Sequence, residues 1–149
     1  MNLLSNRFFY FSLFISIGAI AKAVRSARRK KRLSRIFSDR IKRSPEEFGT
    51  EFFHAESQQT ARTLRLLLEK TLKIDLGGLL PGDSFMKDLK FDDMSRDSFQ
   101  KFIVAVEGTF DIDLPPVAVC MKMTFDEMVG IVEKKRHRKT PPADWQKQS

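Results

Sequence analysis

Cysteine occurs once, at Cys120, and histidine twice, at His54 and His137, in a chain of 149 residues. One cysteine excludes an intramolecular disulfide framework and any multi-cysteine zinc site, and two histidines far apart in sequence leave no ligand cluster for metal chemistry. Cys120 also lacks a histidine close in sequence to activate it as a nucleophile. No catalytic residue is therefore assigned, the chain reads as a non-enzyme, and Cys120 is expected to pack as a small apolar residue. No stretch shows the apolar/polar alternation of a strand. Acids, finally, are missing from residues 1–38.

That last deficit organises the charge. The net charge of +8 would ordinarily suggest an anionic partner. Residues 1–44 hold 12 Lys and Arg against Asp39 alone, whereas residues 45–135 hold 11 bases against 17 acids, and the last 14 residues add +3. An acidic segment thus lies between a very basic arm and a short basic tail. Four parts are expected: 1–24, a hydrophobic membrane anchor or targeting segment; 25–58, a basic juxtamembrane linker; 59–136, a helical domain; and 137–149, a basic flexible tail.

The arm opens three readings. Phe8 to Ala21 are 14 residues without a charge, followed by the cluster Arg25, Arg28, Arg29, Lys30, Lys31, Arg32 and Arg35. A spanning helix needs about 17 to 25 mainly apolar residues, which Phe8 to Val24 reaches if Lys22 snorkels to the interface. That reading leads, and the basic flank then keeps the domain on the cytoplasmic side of a single-pass membrane protein. A secretory signal peptide is the second, from Arg7, the apolar block and Ala19-Ile20-Ala21, with the basic cluster arguing against translocation. A mitochondrial presequence is the third, from the acid-free, Arg- and Ser-rich composition. The basic run also suits anionic lipid headgroups. Specific nucleic-acid recognition is not expected, because no aromatic residue is interleaved with these bases for stacking.

Residues 59–136 read as all-α, a small bundle of three main helices plus one short. Ala61, Leu64, Leu67, Leu68 and Leu72 recur at helical spacing, predicting a first helix from about Gln59 to Lys73. Gly77-Gly78 and Pro81-Gly82 break it, so 75–87 is a loop whose Leu79, Leu80, Phe85 and Met86 cover the core. Phe99, Phe102, Ile103, Val106 and Phe110 predict a second helix, with Ser95 or Asp97 as its N-cap. Ile112 and Leu114 extend the apolar surface before Pro115-Pro116. Val117 to Met121 predicts one short turn. Thr124-x-x-Glu127 has capping-box spacing ahead of a last helix with Phe125, Met128, Val129 and Val132 on its buried stripe and Lys134, Lys135 and Arg136 at its end.

Four segments in order resemble the acyl carrier protein family, a four-helix carrier domain with a phosphopantetheine arm on a serine. Leu68 to Asp75 resembles the end of the family's first helix, and Asp83 to Leu89 the segment leading to its attachment site. Ala105-Val106-Glu107 with Phe110-Asp111-Ile112-Asp113-Leu114-Pro115, and Thr124 to Lys135, resemble its later parts. The resemblance implies 4'-phosphopantetheine as prosthetic group. The partners it implies are acyl-transfer or lipid-biosynthesis enzymes and a phosphopantetheinyl transferase, met through a negative face of Asp92, Asp93, Asp97, Glu107, Asp111 and Asp113.

The attachment motif departs from the family. Counting back from Phe110, the serine's place falls on Arg96; counting forward from Asp88-Leu89, it falls on Asp93, and neither side chain can be esterified. Ser98, in Asp97-Ser98-Phe99, keeps the local triplet two residues late, and Ser95 stands one residue early. A two-residue slip turns a helix by about 200°. The plain alternative is that Ser95, Asp97 and Ser98 only cap the second helix.

Overall fold

The computed structural model describes residues 20, 21, 23, 24, 26–91 and 96–139. Helix α1 runs through 26–38, with helical residues also at 20, 21, 23 and 24. It is followed by α2 (Pro45–Phe52), α3 (Ala55–Leu72), α4 (Arg96–Phe110), the single turn α5 (Val117–Cys120) and α6 (Phe125–Lys139). No strand is present among the described residues; the closest approach to one is an isolated antiparallel bridge between Ser84 and Thr124. The chain is an all-α bundle, as its periodicity predicts.

The expected stripes form the core. Ala61, Leu64, Leu68 and Leu72 of α3, Phe99, Phe102, Ile103 and Val106 of α4, and Phe125, Met128, Val129 and Val132 of α6 are all buried. Helix α3 lies against both α4 and α6. Cys120 is fully buried, its thiol donates to the Pro115 carbonyl at 3.2 Å, and burial, with Glu107 second, pushes its pKa up.

The arm is where expectation and structure part. Among the described residues no helix is long and apolar enough to cross a membrane. This overturns the single-pass placement with a cytoplasmic domain. From residue 20 the chain continues into a strongly cationic helix, of whose apolar residues Leu33 and Phe37 are 0% and 3% exposed within the protein core, Ile36 is half-buried, and Val24 and Ile20 are exposed. Leu33 and Phe37 serve packing and are not available to lipid. The apolar block before residue 20 lies outside the described residues.

The stretch expected as a linker, 25–58, accordingly carries α1, α2 and the first turn of α3, which starts at Ala55 and not near Gln59. Helix α2 begins with a signal that the sequence reading passed over, Ser44-Pro45-Glu46-Glu47. The Glu47 N–H donates to Ser44 Oγ at 3.1 Å, the Ser44 N–H donates to Glu47 Oε2 at 2.7 Å, and Pro45 occupies the first turn, where its missing N–H costs nothing. Phe48 is fully buried, with its ring 5.5 Å from Phe125. Arg65 of α3, 2% exposed, ties this region down. It donates to the carbonyls of Ser44 (3.1 Å) and Arg43 (2.7 Å), pairs with Glu69 at 3.1 Å, and lies over the Phe48 ring.

Residues 73–91 form the long loop. Lys73 ends α3 in the left-handed conformation (φ 55°). Gly78 lies so close to α1 that a Cβ there would stand 3.0 Å from the Phe37 carbonyl oxygen, which explains the glycine. Arg40 donates to the Gly78 carbonyl at 3.1 Å and to the buried Asp83. Of the loop residues expected over the core, Leu79 and Phe85 are fully buried, Leu80 is half-buried and Met86 is 40% exposed. Leu76, Leu89 and Phe91 of the same loop are fully buried.

Lys42 donates to Asp75 at 2.9 Å, and the Gly77 N–H donates to the same carboxylate at 2.7 Å. Lys42 first, then Gly77, holds the Asp75 carboxyl below its ordinary 3.8. A carboxylate depressed by folding contributes stability above its unfolded pKa and loses it as pH falls through the folded value. The melting-temperature difference between the native chain and Asp75→Asn should be full near neutrality and shrink as pH drops below 3.8. A difference independent of pH would contradict this.

Candidate functional site

Of the positions singled out from sequence, Asp97 and Ser98 stand in the first turn of α4, Glu107 in its last turn, and Asp111 and Asp113 just after it. Residues 92–95 lie outside the described residues, so Asp92, Asp93 and Ser95 are not placed. Helix α4 begins at Arg96, with Arg96 and Asp97 exposed and Ser98 half-buried. Asp97 is inside the first helical turn and not at the N-cap, which corrects one of the two expected caps; a carboxylate there still favours the positive end of the helix dipole.

The expected negative face is dispersed by helical geometry. At 100° per residue, Asp97, Lys101, Val104, Gly108 and Asp111 share one stripe, and all five are exposed. Its acids stand at the two ends, with a cation and a valine that is 55% exposed between them. Glu107 is half-buried and accepts from the Leu114 N–H at 2.8 Å, so it closes the loop after α4. Asp111 adopts the left-handed conformation (φ 52°) that ends α4, and Asp113 is exposed. Asp97 and Asp111 therefore share a face, whereas Glu107 is committed to structure.

Beneath the start of α4 lies a cluster of rings. Phe99 stands 4.9 Å from Phe91, 5.2 Å from Phe85 and 5.7 Å from Phe102, and Phe85 stands 6.4 Å from Phe125, centroid to centroid. The first two pairs meet edge to face, the arrangement the ring quadrupole favours, and the other two are tilted. The Arg29 guanidinium of α1 lies 5.2 Å from the Phe91 centroid, bringing the basic helix beside the approach to α4. That neighbourhood was missed from sequence; the 3–4 spacing of Leu33 and Phe37 was its only signal.

The Asp83-Ser84-Phe85 triplet has structural partners. The Asp83 carboxylate accepts from Arg40 and from the Leu80 N–H (2.8 Å), and Ser84 Oγ accepts from the Lys87 N–H at 3.3 Å. At the start of α6 the capping box is half-formed. Glu127 accepts from the Thr124 N–H at 2.8 Å, but the Thr124 hydroxyl donates to Asp126, and Asp126 takes the Glu127 N–H at 2.9 Å. Nor does α6 end at Arg136: it continues to Lys139, and Arg136 turns inward to donate to Thr60 at 2.8 Å. Comparison with protein-family models, with curated proteins and with solved structures gives no match for this chain.

Proposed function

We propose that α3 to α6 act as an acyl-carrier-like domain that presents a phosphopantetheine-linked acyl group to partner enzymes, with Ser98 as the attachment residue and Ser95 as its alternative. The observation that carries the reading is the succession of one long helix, a long loop, a second long helix with a serine in its first turn, a single turn and a last helix. A phosphodiester on Ser98 would stand at the positive end of α4 with the exposed Arg96 beside it. On this reading a phosphopantetheinyl transferase loads the serine, acyl-transfer or lipid-biosynthesis enzymes act on the thioester, and Asp97 and Asp111 contribute to their recognition more than to their affinity.

A second reading has its own support. Neither register puts a serine in the attachment place of the family, which falls on Arg96 or Asp93, Ser98 is half-buried, and the interior under α4 is filled by phenylalanine rings. A carrier domain without a prosthetic group, serving as a protein-interaction module, accounts for all three. Intact mass after co-expression with a phosphopantetheinyl transferase separates the readings. The carrier reading expects the mass of one phosphopantetheine, lost in Ser98→Ala and kept in Ser95→Ala. An unmodified native chain leaves the interaction module.

A further inference from the structure

We propose that α1 is a preformed ridge that binds the phosphodiester backbone of nucleic acid without reading its sequence. Arg28, Lys31, Arg32 and Arg35 recur at positions i, i+3, i+4 and i+7, the spacing of a single helix face. All four are exposed, and among the described residues none pairs with an acid. At 1.5 Å per residue the stripe is about 10 Å long. It is fixed in place because the opposite face of the helix is buried through Leu33 and Phe37, and because Arg40 and Lys42 pin the following segment to Asp83 and Asp75. The backbone that carries the cations is thus ordered before any ligand arrives, which lowers the entropic cost of contact.

The surroundings of the ridge select the kind of partner. Its neighbours Ser26, Ala27, Ser34 and Ser38 are small and exposed. Protein interfaces draw their affinity from buried aromatic and aliphatic anchors at the centre; between Arg28 and Arg35 the exposed face has none, and Val24 (44% exposed) stands one turn before it. An interfacial helix inserts a continuous apolar face between lipids; here Leu33 and Phe37 are spent on the protein core, and the exposed apolar residues, Ile20 (64%) and Val24 (44%), stand before the four cations and not among them. Non-specific binding to nucleic acid needs neither, since cation–phosphate contacts supply essentially all of it. Three of the four cations are arginines, whose planar fork matches phosphate oxygens.

Counterion release makes the proposal quantitative. Each phosphate neutralised contributes about −0.9 to the slope of log K against log salt on duplex DNA, so four contacts contribute about −3.6 and a loss of roughly a hundredfold between about 50 and 200 mM salt. The test is fluorescence anisotropy of the full chain with a labelled mixed-sequence duplex over that range. Neutralising all four positions (Arg28→Gln, Lys31→Gln, Arg32→Gln, Arg35→Gln) should make the slope shallower by about 3.6. Each single substitution should make it shallower by about 0.9, which keeps the proposal testable should the fourfold variant fold poorly. The same number of substitutions at exposed lysines elsewhere, Lys70, Lys87, Lys122 and Lys134, should leave the slope unchanged. The proposal is overturned if the native chain fails to bind the duplex, if the remote set matters as much as the ridge, or if phosphatidylserine vesicles bind the ridge and the duplex does not.

Discussion

Replacing Arg65 by alanine is expected to destabilise the protein by about 3 to 5 kcal/mol, the usual cost of removing one member of a buried charged network. The side chain is 2% exposed and its guanidinium satisfies two carbonyls, those of Arg43 and Ser44, besides the Glu69 carboxylate. Truncation opens a cavity beneath Phe48. It also removes the guanidinium from the Arg43 carbonyl, while the Ser44 carbonyl keeps the Phe48 N–H (3.0 Å) and the Glu69 carboxylate keeps the Leu76 N–H (3.2 Å). Arg65→Lys keeps the charge but not the fork, since one ammonium cannot direct donors to three separated acceptors in a fixed plane, and is expected to recover less than half of the loss. Denaturant unfolding at constant m-value measures both. A loss below about 1 kcal/mol for the alanine variant would mean that water replaces the guanidinium and that α2 is not held through it.

Phe85→Ala is expected to cost about 3 to 5 kcal/mol, a large share of the roughly 5 to 15 kcal/mol that stabilises a domain. Its fully buried ring meets those of Phe91, Phe99, Phe102 and Phe125, so it joins the long loop to both α4 and α6. Phe85→Leu keeps most of the volume and should lose clearly less. Equal losses for the two variants would point to the ring–ring geometry rather than the filled space, and no loss in either would remove the cluster from the centre of the fold.

How much of this was legible in the sequence depends on the element. The stripes of α3, α4 and α6 were, because 3–4 spacing of Leu, Phe and Val is set by helical pitch alone. The arm was not. Its charge density suggested a solvated linker, while the burial of Leu33, Phe37 and Phe48 depends on a surface supplied by distant residues such as Gly78 and Arg65, which periodicity does not reveal. Arg65 was invisible for a related reason: hydropathy places an arginine outside, and only three acceptors, two carbonyls from the segment before α2 and Glu69 of its own helix, make the interior position tolerable. Glu107 shows the same limit at the candidate site. Its place among the acids is plain from sequence, yet the Leu114 N–H that occupies it belongs to a later loop. The stripe between Asp97 and Asp111, by contrast, follows from helical geometry and could have been drawn beforehand.

The bridge between Ser84 and Thr124 has a bearing on how the chain folds. With it come hydrogen bonds from the Phe85 N–H to the Met123 carbonyl (3.1 Å), from Phe125 to Asp83 (3.0 Å) and from Asp126 to Pro81 (2.9 Å), which stitch the middle of the long loop to the first turn of α6. Every one of these joins residues far apart along the chain, so the entropy of loop closure is spent before any of them forms. The helices can nucleate from local contacts, whereas the seam must wait until α4 has brought the two segments together. It is therefore expected to close late, and its residues to govern how fast the chain unfolds more than how fast it folds.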